Sequence, residues 1–219
     1  MTLRETLVRP LPCSDDELLA RSTAFARQLG ERRTVREFSD RPVPKAVIAA
    51  CIRAAGTAPS GAHQQPWHFV AINDAATRHA VREAAEASER HFYDTAPAEW
   101  LAALKPFGTN AHKPFLDTAP WLIAVFAERY GITETGARRT HYYVQESVGI
   151  ACGMLLTALH MAGLATLTHT PSPMGFLQEL LGRPANERAI MLVVVGWPAD
   201  DATVPQLVRK PLEAIATFR

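Results

Sequence analysis

Apolar and polar positions follow two rhythms along the chain, and each change of rhythm marks an element. "SDDELLARSTAFARQLGERR" sets Leu18, Leu19, Phe25 and Leu29 among charged residues, with Ser14 ahead of three acids. That pattern predicts a capped helix ending near Gly30. "VPKAVIAACIRAAG" opens at Pro44, suited to a first helical turn, and stops at Gly56, suited to a C-terminal cap. Between these helices, "TVREF" is short and irregular. "HFVAIN" predicts a strand, and "DAATRHAVREAAEASERHFY" a helix with one polar face. "DTAPAEWLAALKPFGTNAHKPF" mixes Pro, Gly, Thr and Asn with amphipathic pieces, which predicts a mobile helical excursion. "PWLIAVFAE" is an apolar strand, "HYYVQESVGIACGMLLTALHMAGL" a long central helix, "ATLTHT" a strand and "MGFLQELLG" a short helix. The unbroken run "AIMLVVVGW" predicts a strand buried on both faces. The tail "DDATVPQLVRKPLEAIATFR" is too polar for core and too apolar for disorder, which suits packing on a neighbour. Interleaved strands and helices give an α+β or α/β domain.

Composition narrows the picture. With 219 residues, 47% hydrophobic and 21% charged, the chain has the makings of one large domain or a dimer. A net charge of +1 provides no basic excess for nucleic acid. Cys13, Cys51 and Cys152 are far apart, so no disulfide framework or CxxC site is expected. Cys51 and Cys152 sit in apolar helical runs as inert core residues, and a reduced, cytoplasmic setting is expected. The N-terminus has no apolar core of the signal-peptide kind. "SVGIACGMLLTALHMAGLATL" is interrupted by His160 and glycines and preceded by Glu146, so it reads as a helix in a soluble core, not a membrane span. No HxxxH or HExxH pair points to a metal, and no GxGxxG, GxxxxGK or GxSxG motif is present.

Several patterns bear on chemistry. The loop "TAPSGAHQQPW" carries more ligand-capable side chains than a connector needs. "RRTVREF" brings Arg32, Arg33 and Arg36 together around Thr34; arginine forks match a phosphate, while the alternative is a solvated basic helix end. Arg209 and Lys210 in the tail form a surface pair unless the tail folds back toward that cluster. In "TLTHTP", hydroxyls at 166, 168 and 170 share one strand face and could bond a flat polar ring, or simply favour an edge strand. Glu89 and Tyr93 share a helix face, and Lys113 follows the irregular segment. Those three could read an amino-acid zwitterion or be an ordinary solvated surface.

These residues together match a known pattern. "RRTVREFSDRPVP", "APSGAHQQPWHFV" and a final "VGWP" resemble the nitroreductase-like flavoproteins, which bind FMN at a dimer interface. "TAPSGAH", "LDTAP", "HYY", "ACGMLLTALHMAGLATLTHTP", "LLGRPANE" and "ATVPQLVRKPL" narrow the resemblance to the iodotyrosine deiodinase type. It runs from about Arg32 to Ile215. The order and spacing of the motifs are more specific than any one of them.

The resemblance implies an α+β nitroreductase-like fold with a central mixed β-sheet flanked by helices. It implies a domain-swapped homodimer with an exchanged C-terminal tail. The single domain, 1–219, would have a helical arm at 1–30, an active-site lid at about 86–115 and an extension onto the partner at about 200–219. Arg32, Arg33, Thr34, Val35 and Arg36 would hold the FMN phosphate and ribityl chain, with Arg209 helping. Ser60 and Gly61 would touch FMN from the partner subunit. Thr168, His169 and Thr170 would lie along the flavin ring, with the Thr170 hydroxyl toward flavin N5 and Thr168 as its substitute. His169 departs from the threonine usual there. The Ala62 N–H would bond the substrate phenolate, and Glu89, Tyr93 and Lys113 would clamp the zwitterion. The implied activity is reductive dehalogenation of halotyrosines by stepwise one-electron transfer. Electrons would come from an NAD(P)H-linked reductase or a flavodoxin or ferredoxin. The alternative is an FMN-dependent NAD(P)H nitroreductase or quinone reductase, which has no use for the clamp. No metal, nucleic acid or membrane partner is expected.

Overall fold

The structure, a computed structural model, describes residues 12–219 together with residue 6. The start of the expected 1–30 arm therefore lies outside the described residues. The chain divides into two compact units, Met1–Arg32 and Arg33–Arg219.

The first unit contains helix α1 (Asp15–Glu31). The Ser14 hydroxyl accepts from the Glu17 N–H and the Glu17 carboxylate accepts from the Ser14 N–H, a reciprocal capping box. Such a cap is worth about 1 kcal/mol. The expected serine start is what is found.

The second unit is built on four strands: β1 (Trp67–Ile72), β2 (Trp121–Glu128), β5 (Ala165–His169) and β6 (Glu187–Gly196). They lie in the order β1-β2-β6-β5 and every neighbour is antiparallel. A parallel bridge from Thr34 to Thr166 adds the mixed character at the β5 edge. Strand alternation explains the unbroken apolar runs. Leu122, Ala124 and Phe126 of β2 face one core cluster, with Leu192 and Val194 of β6. Trp121, Ile123 and Val125 face a second cluster, with Val193 and Val195. Helices α3 (Ala75–Thr95), α5 (Phe115–Thr118) and α7 (Gly175–Leu180) contribute to the first. Helices α2 (Lys45–Ala55) and α6 (Val144–Met161) cover the second.

The expected elements fall where the periodicity puts them, with differences at short pieces. The stretch 130–140 forms a small hairpin, β3 (Tyr130–Ile132) and β4 (Arg138–Thr140), whose few residues give no readable alternation. The excursion after α3 folds as α4 (Ala98–Leu104) and a one-turn 3-10 helix, Lys105–Phe107, closed by Gly108 at φ 60°. Helix α6 buries one face through Val148, Ala151, Cys152, Leu155 and Leu159. Its opposite face, including Gly149, Ile150, Gly153 and Met161, is exposed in the single chain. By length and composition alone α6 could cross a membrane, and about a third of it is buried here.

Candidate active site

Helix α3 builds one wall of the site. Asp74 caps it, its carboxylate accepting from the Thr77 N–H at 2.8 Å. Glu89 and Tyr93 then fall one turn apart on the same face. The chain leaves α3, crosses α4 and returns at Lys113, where α5 begins with the buried Phe115 and Leu116. That buried return fixes Lys113 opposite Glu89. The Lys113 Nζ lies 3.2 Å from Glu89 Oε2, with the two side chains only 4% and 12% exposed.

Thr109 completes the group. Its hydroxyl accepts from Tyr93 Oη at 3.2 Å and from Lys113 Nζ at 3.2 Å. The sequence reading missed Thr109; its signal was the four-residue step to Lys113 inside an irregular segment, where step size fixes no face. The roof is aromatic. Phe92 meets Tyr93 and Trp100 edge-on, at centroid distances of 5.3 and 4.9 Å.

The opposite wall is the end of β5. Thr168, His169 and Thr170 line the same cavity as Arg36, Glu89, Tyr93 and Lys113, a space of about 240 Å3. Thr168 and Thr170 are exposed, whereas Thr166, on the same face by alternation, is buried under the Thr34 bridge. So only two of the three expected hydroxyls face the open site. His169 is buried, edge-on to Phe115 at 5.9 Å, and its Nε2 has no hydrogen-bond partner. Burial, followed by the Lys113 and Arg36 charges, pushes its pKa down to about 3. His169 is therefore a neutral imidazole at neutral pH. Burial also lowers Lys113, against the pull of Glu89. With Arg36 and Lys113 positive, Glu89 negative and His169 neutral, the cavity favours an anion.

The remaining expected contacts lie elsewhere. Thr34 and Arg36 line an adjoining cavity with Glu37, Phe107, Thr203 and Pro205. The Val35 side chain packs on the core and its N–H bonds Thr166 O at 3.1 Å. Arg33 donates to Pro205 O, and Thr203 N bonds Glu37 at 2.6 Å, so the base of the tail is tied to this segment. Arg209 lies farther along, exposed and outside any helix or strand. Arg32 belongs to the first unit.

Ser60, Gly61 and Ala62 do not line that 240 Å3 cavity. Their loop is strained: Ala62 and His63 have φ of 51° and 54°, and Gln65 49°. Non-glycine residues there cost on the order of 1–3 kcal/mol each and need the surroundings to hold them. Gln64 does so, donating to Thr140 O and accepting from Tyr142 N, both at 2.8 Å. The Ser60 hydroxyl accepts from Gln65 N at 2.9 Å, and Pro66 is buried. Trp67 packs on the second core cluster, the anchoring role its type suggests. At Gly61 a Cβ would meet Tyr142 O at 2.5 Å. The close approach that demands glycine is to the chain's own backbone.

A larger apolar groove, about 720 Å3, runs between α2, β1 and the start of α3. It holds none of the candidate residues.

The sequence pattern of the "Nitroreductase family" matches residues 29–197. An "Iodotyrosine deiodinase" of Haliscomenobacter hydrossis is 53% identical over 201 residues, 91% of this chain and 90% of that protein. An "Iodotyrosine deiodinase" of Danio rerio is 49% identical, covering 94% of this chain and 70% of that one. Among solved structures, an oxidized iodotyrosine deiodinase bound to FMN and 3-iodo-L-tyrosine superposes with a TM-score of 0.77 at 29% identity. That match covers 89% of this chain and 100% of the other.

Proposed function

The chain belongs to the nitroreductase family, and from that premise we propose that it is a flavoenzyme that dehalogenates halotyrosines, turning iodotyrosine into tyrosine and iodide. The observation that carries the reading is the buried Glu89–Lys113 pair joined through Thr109 to Tyr93. A reductase acting on nitroaromatics or quinones has no ammonium or carboxylate to bind there. The relatives of 53% and 49% identity carry the same activity in their names.

The residues fit FMN. The orphaned Nε2 of buried His169 and the exposed hydroxyls of Thr168 and Thr170 stand along one wall, where a flat polar ring would find partners. Arg33, Thr34 and Arg36 would hold the phosphate and ribityl chain, with Arg209 as a further cation. When bound, FMN supplies the two electrons that an aryl carbon–halogen bond needs to be replaced by carbon–hydrogen. The balance is one halotyrosine, two electrons and one proton giving tyrosine and halide.

The protein's part is binding and orientation. Breaking a buried ion pair costs about 3–5 kcal/mol because it strands a charge. A zwitterion avoids that cost. Its ammonium takes Glu89 and its carboxylate takes Lys113, so one pair becomes two and no charge is left alone. Binding energy is thereby placed on groups remote from the halogenated carbon, where it orders the α4 lid and excludes water. The net positive cavity holds the ring as its phenolate, and the Ala62 N–H of a second subunit would bond that oxygen.

The second subunit is part of the proposal. At about 240 Å3 the cavity is smaller than the roughly 300–1,000 Å3 of usual small-molecule sites. The exposed α6 face and the exposed Leu207, Val208, Ile215 and Phe218 of the tail offer apolar surface for a homodimer with exchanged tails. We read α6 as a core and interface helix, and the setting as cytoplasmic. The electron donor would be an NAD(P)H-linked reductase or a flavodoxin or ferredoxin. The test is anaerobic: flavin-loaded protein reduced with dithionite should be reoxidised by 3-iodotyrosine with release of one iodide per flavin. Reoxidation by nitroaromatics but not by halotyrosines would overturn the reading.

A further inference from the structure

Arg82, Glu86, Glu89 and Tyr93 recur along α3 at steps of four, three and four, which places them on one face. Glu89 and Tyr93 line the cavity; Arg82 and Glu86 stand beneath it and do not. Glu86 nevertheless reaches the same residue as Glu89. Its Oε1 accepts from the Lys113 backbone N–H at 2.7 Å. It also accepts from Arg82 Nε at 2.8 Å and lies 3.1 Å from His112 Nδ1. Helix α3 thus grips Lys113 twice, by its main chain through Glu86 and by its ammonium through Glu89.

Resting on the dehalogenase reading above, we propose that Glu86 is a positioning residue for the zwitterion clamp, setting the main chain of Lys113 so that its ammonium meets the substrate carboxylate. The rest of the network supports the role. Arg82 Nη1 donates to Asp117 Oδ2 at 2.7 Å, and Arg78 donates to Asp117 O at 2.7 Å and to Ala119 O. These bonds fix Arg82, and so the Glu86 rotamer, against α5, which Leu116 holds in the core. Burial alone would raise the Glu86 carboxyl, but Arg82 and the Lys113 N–H hold it below the usual range, so it stays an acceptor. The grip matters most after substrate arrives. Once the ammonium of the ligand has taken Glu89, the bond from Glu86 is what still fixes Lys113 to α3.

The consequence is selective. A ligand with an amino-acid zwitterion needs Lys113 in register, whereas 2-iodophenol carries the ring and halogen without one. The test is titration of flavin-loaded protein with each ligand, read by flavin fluorescence, beside KM and kcat for each. Glu86→Ala should weaken 3-iodotyrosine at least tenfold, mainly in KM, and leave 2-iodophenol unchanged. Glu86→Gln, which keeps an acceptor for the N–H, should stay within about threefold of wild type. Glu86→Asp keeps the charge but withdraws the oxygen, and should behave like Glu86→Ala. If the residue only balanced charge, the Asp variant would be the one that recovers, and that result overturns the proposal. Equal loss for both ligands overturns it too. Without reference to turnover, amide exchange of the segment around Lys113 should quicken in Glu86→Ala while that of β2 does not; unchanged exchange is a third refutation. Should Glu86→Ala not fold, the Gln–Asp comparison decides alone. Wild-type protein that binds and dehalogenates neither ligand defeats the functional reading instead.

Discussion

The Lys113 ammonium sits 3.2 Å from the Glu89 carboxylate, with both side chains almost wholly removed from water. Each is the other's counter-ion until a ligand brings one of each sign. In the proposed clamp, replacing Glu89 by Gln would remove the anion assigned to the substrate ammonium and strand the lysine charge. Charge-assisted bonds are worth about 1.5–3 kcal/mol, so halotyrosine affinity should fall roughly 10- to 150-fold. Flavin content should not change, because Glu89 is assigned to the zwitterion alone. Fluorescence titration with 3-iodotyrosine measures the first and absorbance the second; undiminished affinity would remove Glu89 from the clamp.

Gly61 faces the backbone of Tyr142, where any Cβ would come within 2.5 Å of the carbonyl oxygen. Neither atom can retreat cheaply, since Gln64 bonds Thr140 O and Tyr142 N, just ahead of that carbonyl. Gly61→Ala should cost about 1–3 kcal/mol, as overpacking does, with each kcal/mol lowering Tm by roughly 2–4 °C in a domain of this size. Gly175→Ala, where an added Cβ meets nothing within 4 Å, is the control and should be nearly silent. Equal melting of both variants would show that the loop adapts.

What the sequence made legible follows from how each signal is encoded. Long apolar runs such as Trp121–Glu128 and Val144–Met161 carry their signal in many residues, and both elements lie where the pattern predicts. The hairpin at 130–140 has only three residues per strand, too few to show a period. The polar trio of Glu89, Tyr93 and Lys113 is open to a surface reading from spacing alone, because nothing local says that Lys113 is buried. That burial comes from Phe115 and Leu116 next to it and from α3 opposite, a tertiary fact. Thr109 and Glu86 escaped for the same reason: one hydroxyl and one helix acid look ordinary until the chain returns to them. His169 stood out as a departure from threonine, but its buried, unpartnered nitrogen shows only in the packing.

The depressed His169 pKa makes a pH prediction for the unliganded chain. Its folded value is about 3, against an ordinary 6.5 in the unfolded chain. Between those values the unfolded state binds a proton that the folded state refuses, so stability rises with pH across that window and falls as pH drops through it. The slope is about 1.4 kcal/mol per pH unit for one proton. Glu86 and Asp117, held low by Arg82, lose their contribution only as pH falls below the ordinary carboxylate range. Urea midpoints from pH 6.5 to 5 therefore read histidine titration apart from the carboxylates. His169→Asn should flatten the curve there; an unchanged slope would mean that another histidine carries it.

Helix α6 carries the last prediction. Its apolar length buries Val148, Ala151, Cys152, Leu155 and Leu159 in the chain's own core, where burial pushes the Cys152 thiol up to about 11 and leaves it inert. Ile150 and Met161 on the other face remain 45% and 48% exposed, and Gly149 and Gly153 beside Ile150 would let a second helix come close. Stable interfaces remove about 800 Å2 per partner, which this face and the apolar tail could supply together. Ile150→Glu puts a charge at the centre of that contact without touching the buried face. If two chains complete each site, the variant should run as a monomer by light scattering and lose its flavin, while its far-ultraviolet dichroism stays native. Retention of both mass and flavin would separate α6 from the interface and require that one chain hold the cofactor alone.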